Sequence, residues 1–251
     1  MSDFTESEFR VLWDAALSAC PALAGRADLR KDPAARRLWR VCDRLIDNGR
    51  RFNLTSILDP AEILRKHVID SILPLVLMEE RGIAPRRILD VGTGAGFPLL
   101  PWAALLPSGT RLCGLDATGK KISHIRQTAE YAELPNVEAV QGRAEEFARE
   151  AGREAFDCVT ARAVAALPVL LELCAPLTEP GGVFAALKSH AEEEIDASRR
   201  AAEVLGLGEP EIVGYSLPGG DARTLLLYRK IRSTPAKYPR RYSEIVKQPI
   251  V

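Results

Sequence analysis

The chain has 251 residues, 34 Lys and Arg against 34 Asp and Glu, and 47% hydrophobic residues. This is enough for one domain of about 150–200 residues plus an appendage, and it excludes a chain disordered throughout. No uncharged apolar run reaches the ~18 residues of a membrane span, and the opening MSDFTESEFR lacks the apolar stretch of a secretory signal.

Residues 1–85 read as a helical region. Leu38, Val41, Cys42 and Leu45 recur at i, i+3, i+4 and i+7, and Asn48-Gly49 is expected to stop that helix. After a short linker, RFNLTSI, Asp59-Pro60 offers an N-cap and a first-turn proline to a second helix. Leu64, Val68, Ile72 and Leu75 share one face of it, and Pro74 is expected to kink or end it.

From Arg86 the pattern becomes short apolar runs alternating with amphipathic segments. Strands are predicted over 87–91, 111–116, 137–141, 156–161, 182–188, 211–217 and 223–230. Helices are predicted near 98–106, 119–133, 143–151, 167–175 and 191–206, the second with an apolar stripe of Ile122, Ile125, Ala129 and Ala132. Alternation implies a parallel sheet covered on both faces. The last two strands, joined only by the SLPGGDAR turn, should form an antiparallel hairpin at one edge. The expected organisation is α/β: a helical region over 1–85, a doubly wound domain over 86–232 and a basic tail over 233–251. Between Arg223 and Lys247 eight basic residues face Glu244 alone, which suits either a solvated tail or a phosphate-contacting patch. Cys20, Cys42, Cys113, Cys158 and Cys174 contain no CxxC pair, so no disulfide framework or metal site is expected, and a reducing cytoplasm is.

The most informative segment is Asp90-Val91-Gly92-Thr93-Gly94-Ala95-Gly96-Phe97, between the first strand and the next helix, where open α/β sheets bind ligands. Asp116 ends the second strand, 20 residues beyond Gly96, and suits a ribose diol. Dinucleotide sites favour GxGxxG around a pyrophosphate, whereas here the third glycine comes one residue early and Asp90 precedes the loop. An acid there suits a ligand with an ammonium group, a ribose and no pyrophosphate. S-adenosylmethionine is that ligand. A class I methyltransferase is therefore favoured over an NAD-dependent oxidoreductase, a non-catalytic RNA-binding module or a merely structural turn.

The segment after the fourth strand bears on the methyl acceptor. Thr160-Ala161-Arg162-Ala163-Val164-Ala165 holds no DPPY-like or NPPY-like turn of the kind exocyclic-amine methyltransferases carry. Cys158 lies inside a strand, so it reads as a buried hydrophobe rather than a nucleophile. A ring nitrogen with a lone pair, such as guanine N7, needs neither base nor nucleophile.

Several motifs in order resemble the RsmG (GidB) family of 16S ribosomal RNA guanine-N7 methyltransferases. They are Asn53-Leu54-Thr55-Ser56-Ile57, Lys66-His67 with Asp70-Ser71, DVGTGAGFP, Asp116-Ala117-Thr118 with Lys120-Lys121, Gly142-Arg143-Ala144-Glu145, Ala161–Ala165 and TPAKYPRR. The resemblance implies a class I Rossmann-like methyltransferase fold, a mostly parallel seven-stranded sheet with an antiparallel terminal strand. It also implies methyl transfer to guanine 527 in the 530 loop of 16S RNA. The implied partner is 16S rRNA or the small ribosomal subunit, met by a cytoplasmic monomer. The family's cofactor contacts fall on Gly92, Phe97, Asp116, Ala117, Thr118, Ala144, Glu145 and Arg162, and Gly94 and Gly96 complete the loop. Two departures stand out: Pro98-Leu99-Leu100-Pro101 replaces the usual Pro-Gly-Leu-Pro, and Lys188-Ser189 the usual Lys-Gly.

Each role has a plainer alternative. Asp116 is also placed to cap the following helix, and Glu145 to be an ordinary first-turn acid. Arg162, the only catalytic candidate, suits a phosphate, the target base or the cofactor, and otherwise a surface ion pair. Asn53, Thr55, Lys66, His67 and Asp70 are candidates for the same cleft, with His67 read as a packing residue because N7 has no proton to remove. His124 is placed on a helix surface and His190 in a loop. Lys66, Lys188, Arg240 and Arg241, with Arg162, form the candidate RNA footprint, and Phe97 or Tyr238 would stack on the splayed base.

Overall fold

A computed structural model describes residues 3–52, 54–189 and 191–250, so Asn53 and His190 lie outside the described residues. The helical region begins with α1 (Glu6–Ser18), α2 (Pro21–Ala24) and α3 (Ala34–Phe52). It continues with α4 (Pro60–Ile63), a π-helical stretch (Leu64–Ile69) and α5 (Asp70–Glu79). Helix α1 starts on a capping box: Thr5 Oγ1 accepts from the Glu8 N–H at 3.2 Å, and the Glu8 carboxylate accepts from the Thr5 N–H at 2.8 Å.

The remainder alternates as the periodicity predicts. In order come β1 (Arg87–Val91), α6 (Leu99–Leu105), β2 (Arg111–Asp116), α7 (Gly119–Tyr131), β3 (Val137–Gln141) and α8 (Ala144–Phe147). Then follow β4 (Phe156–Arg162), α9 (Leu167–Cys174), β5 (Thr178–Lys188), α10 (Glu192–Leu205), β6 (Glu211–Ser216), β7 (Ala222–Arg229) and α11 (Tyr242–Lys247). The seven strands run β3-β2-β1-β4-β5-β7-β6, with β7 antiparallel to both neighbours. Strand order reverses between β1 and β4, which opens a crevice at their carboxyl ends.

Alternate side chains on each strand enter two cores. Ile88, Leu112, Cys158, Val183 and Leu225 face the side where α3, α5, α6 and α7 pack. Leu89, Cys113, Val159, Phe184 and Leu226 face α9, α10 and α11. The N-terminal helices thus share one continuous core with the first face of the sheet.

Three sequence readings need correction. Helix α3 runs through Asn48-Gly49 to Phe52 rather than stopping there. A Cβ on Gly49 would lie 2.6 Å from Leu58 Cδ2, so this glycine admits the following segment against the helix. Pro74 lies inside α5 and does not end it, and the helix is irregular in the π-helical turn just upstream. Asp70 to Val76 are all buried, so tertiary packing outweighs the missing N–H. The tail is not loosely solvated. Ile245 is fully buried, Arg153 donates to the Tyr238 and Thr234 carbonyls, and Arg149 donates to that of Pro239. Arg240 also pairs with Glu172 of α9, itself fully buried, at 2.6 Å.

Leu99, in place of the family glycine, opens α6 and is fully buried. Its space comes from Gly114 on β2, where a Cβ would lie 2.6 Å from Leu99 Cδ2. Gly114→Val should cost about 1–3 kcal/mol by overpacking, and less in a Leu99→Ala background. A urea double-mutant cycle showing simple additivity would contradict that packing. Arg240→Ala should cost about 3 kcal/mol, because it strands the buried Glu172 carboxylate. A melting curve matching that of the parent would show that the pair holds nothing.

Candidate active site

Two pockets meet at the crevice between β1 and β4. The first, about 400 Å³, is lined by Gly92 of the glycine loop, Asp116 and Ala117 after β2, and Gly142, Ala144 and Glu145 after β3. The second, about 380 Å³, is lined by Asp70, Arg162, Lys188, Glu194, Tyr215 and Arg223. Both include Ala163, which has a left-handed backbone at φ +57° although it is not glycine. The joint between the two pockets is therefore a turn immediately after β4.

The glycine loop needs its glycines for two different reasons. Gly92 has φ +67°, and a Cβ there would lie 2.6 Å from Val164 Cγ2. Gly96 has φ +91° and packs on Leu100, where a Cβ would come within 2.4 Å of Cδ1. Gly94 is also left-handed, at φ +59°, and its N–H donates to Asp116 Oδ2 at 3.1 Å. Asp116 Oδ1 accepts from the Thr118 N–H at 2.9 Å, so Asp116 does brace the entry to α7. Each carboxylate oxygen can accept more than one bond, which leaves capacity for a ribose hydroxyl. Thr118 is the N-cap residue of α7 and does not line the pocket. Glu145 is buried and tied to Arg143 Nε at 2.5 Å, unlike an ordinary solvated helix-start acid.

Asp90 and Thr93 are the groups left over. The Asp90 backbone pairs with Gly114 on one side and Thr160 on the other, which buries the residue at the end of β1. Neither Asp90 oxygen makes a well-formed hydrogen bond. Burial pushes its pKa up to about 7, an effect only partly offset by the nearby Thr93 hydroxyl, the Arg162 charge and the Leu99 N–H. A buried carboxyl short of partners at the foot of the glycine loop fits the ammonium of S-adenosylmethionine, although it does not itself line the pocket, and Asp116 in the pocket wall fits its ribose.

On the acceptor side, Arg162 Nη1 donates to Asp70 Oδ2 at 3.0 Å, and Arg223 Nε donates to Asp70 Oδ1 at 3.1 Å. The Arg162 pair is part-buried rather than a surface bridge. Phe97 is buried, with His67 stacked on it at 5.0 Å between centroids and the Arg162 guanidinium 5.8 Å away, so it offers no open face to a base. His67 Nε2 lies 3.1 Å from Thr55 Oγ1. Burial, and then the Arg162 charge, lower its pKa to about 4, which makes it a neutral packing group. Tyr238 is part-buried against the second core.

The proposed RNA cations are dispersed. Lys188 lines the acceptor pocket and pairs with Glu194 at 2.8 Å, and Lys66 pairs with Glu62 at 2.5 Å. Arg241 is exposed at the start of α11, whereas Arg240 is committed to Glu172 and lines neither pocket. His124 is buried rather than on a surface, with Asn48 Nδ2 donating to its Nδ1 at 3.0 Å. Helix α3 covers that face of α7, and a single helix's periodicity does not reveal its neighbour. Cys158 is fully buried in β4, and burial pushes its thiol far above the ordinary range. Sequence reasoning missed Tyr242, which lines the donor pocket from α11.

Comparison with known proteins places the chain in a family. The pattern of the family described as GidB, rRNA small subunit methyltransferase G, matches residues 35–219. The chain is 45% identical over 231 residues to the ribosomal RNA small subunit methyltransferase G of Deinococcus radiodurans, covering 90% of each. It is 42% identical over 213 residues to that of Desulfitobacterium hafniense, covering 83% of this chain and 86% of that one. In fold it is similar to the O-methyltransferase from Bacillus cereus solved in complex with SAH. That match has a TM-score of 0.54 at 21% identity, over 76% of this chain and 90% of that one. The chain belongs to the GidB family of rRNA small subunit methyltransferases G, enzymes that use S-adenosylmethionine.

Proposed function

We propose that this protein methylates N7 of one guanine in the 16S rRNA of the small ribosomal subunit, in the cytoplasm and as a monomer. In this reading residues 1–85 form an acceptor-side cap on a transfer unit of 86–232, with 233–251 folded back onto it. The observation that supports the acceptor is the chemistry of the joint between the pockets. Among the described residues there, Arg162 and Asp70 are paired, His67 is neutral and held by Thr55, and Cys158 is sealed inside the sheet. A purine N7 needs nothing that this site lacks.

The cofactor, when bound, supplies a methyl group on a positively charged sulfur. Asp90 holds its ammonium, Asp116 its ribose, and Gly142, Ala144 and Glu145 wall the adenine. Arg162 is fixed through one nitrogen by Asp70 and has other N–H groups for the acceptor. A single bond to guanine O6 orients the ring and leaves N7 uncovered, whereas a bidentate grip on O6 and N7 would block the reaction. Rate then comes from alignment and exclusion of water rather than from proton transfer. Five buried free cysteines are consistent with a reducing compartment. The large apolar side chains left exposed are spread over α1, β6, the segment after β7 and α11, which supports a monomer.

Incubating the protein with tritiated S-adenosylmethionine and either naked 16S RNA or 30S particles tests the reading. Borohydride reduction followed by aniline should then cut the labelled RNA at one guanine. Label that gives no scission, or tight binding of NAD in place of S-adenosylmethionine, would sink it.

The Asp90 carboxyl gives a pH test. With its pKa raised to about 7, it is largely protonated in the ligand-free protein below that pH. Binding an ammonium needs the ionised form, so binding releases a proton. S-adenosylhomocysteine affinity should fall toward tenfold per unit as pH drops below about 7. Asp90→Asn should bind weakly with a flat profile. Calorimetry showing the same slope in both proteins would assign the dependence elsewhere.

A further inference from the structure

We propose that Tyr242, on the C-terminal helix, is a cofactor-binding residue that walls the adenine end of the donor pocket. Tyr242 lines that pocket together with Gly142, Ala144 and Glu145, the residues just past β3. The inference depends on the cofactor alone and not on which RNA atom receives the methyl group.

The ring is held rather than loosely exposed. The Arg143 guanidinium lies 4.4 Å from its centroid, and Arg143 is itself tied to the buried Glu145 by the 2.5 Å bond. Glu145, Arg143 and Tyr242 thus form a short chain of contacts from the pocket wall to the tail. Behind the ring, Ile245 is fully buried in the core below α9 and α10, and Arg240 is clamped to the buried Glu172. These anchors lie two residues before and three after Tyr242. Its backbone therefore has little freedom to lose when a ligand arrives.

Tyr242 is nevertheless 39% exposed, one of few large apolar side chains so open. A flat aromatic surface on a fixed backbone, opening on a nucleoside-sized pocket, is chemically matched to a purine face. With the ribose on Asp116 and the methionine portion at the glycine loop, as proposed above, the wall built on the β3 loop is left for the base. The basic stretch around Arg240 and Arg241 then serves partly to carry this ring to the cofactor.

Calorimetry with two ligands tests the assignment. S-adenosylhomocysteine has both ends of the cofactor, whereas 5′-methylthioadenosine lacks the amino-acid end. Tyr242→Ala should weaken both by the same factor, about five- to tenfold, and Tyr242→Phe should stay within about twofold of the parent. The melting temperature of the ligand-free Tyr242→Ala protein should fall by only a few degrees, the loss of one partly exposed contact with Arg143. Loss confined to S-adenosylhomocysteine would move Tyr242 to the methionine end and overturn the adenine assignment. Unchanged affinity for both ligands, with weakened binding of 16S RNA, would show that the ring serves the nucleic acid instead.

Discussion

The Asp70 carboxylate is where three distant parts of the chain meet. It lies at the start of α5, is almost completely buried, and accepts from Arg162 at the end of β4 and from Arg223 on β7. The Tyr215 hydroxyl of β6 lies 3.5 Å from the same oxygen as Arg223. One anion between two guanidinium groups fixes the helical region, the switch-point strand and the edge hairpin around a single pocket. Removing it would leave two part-buried guanidinium groups without their shared anion, a loss of about 1–3 kcal/mol. Burial, and after it the Asp70 charge, push the Tyr215 pKa well above the phenol range, so this hydroxyl stays a neutral donor. Arg65 adds a second tie between the same regions, donating to Asp221 and to the Pro218 carbonyl in the hairpin turn.

The buried acids of the crevice divide by whether they are partnered. Asp70 and Glu145 are satisfied by arginines and act as fixed points. Asp116 is satisfied by backbone N–H groups and keeps residual acceptor capacity. Asp90 alone lacks a well-formed hydrogen bond to either oxygen, and the cost of burying it is met by a raised pKa. Donor and acceptor pockets thus differ in chemistry although they share Ala163. The first is walled by the acids Asp116 and Glu145, and the second by Arg162, Lys188 and Arg223, each paired with an acid.

Much of this was legible in the chain because it is local. Strand and helix alternation, the early third glycine, Asp90 before the loop and Asp116 after β2 are all set by spacing within one strand–loop–helix unit. The readings that failed depended on a neighbour. Gly49 looks like a helix stop until Leu58 is seen packed on it, and His124 looks exposed until α3 covers it. Pro74 looks like a breaker until the burial around it is known. Leu99 looks intrusive beside the family glycine, yet Gly114, on another strand, supplies the space. No periodicity within one element contains these pairings.

The basic run from Arg223 to Lys247 shows how composition misleads in the same way. Arg223 is bound to Asp70 and Arg240 to Glu172. Lys230 is buried, donating to the Ala175 carbonyl and Thr234 Oγ1, and Arg232 donates to the Glu203 carbonyl. Burial lowers the Lys230 pKa to about 8, so its charge is the least suited to reach a phosphate. Arg229, Lys237, Arg241 and Lys247 are the exposed members of the eight outside these bonds. Four such cations limit the tail's share of the salt dependence of RNA binding to about 3 in log–log slope. Lys188, Arg162 and Arg223 around the second pocket are likewise paired. Asp70 and Glu194 fix the direction of those three charges, so their arrangement is set by long-range packing that composition does not contain.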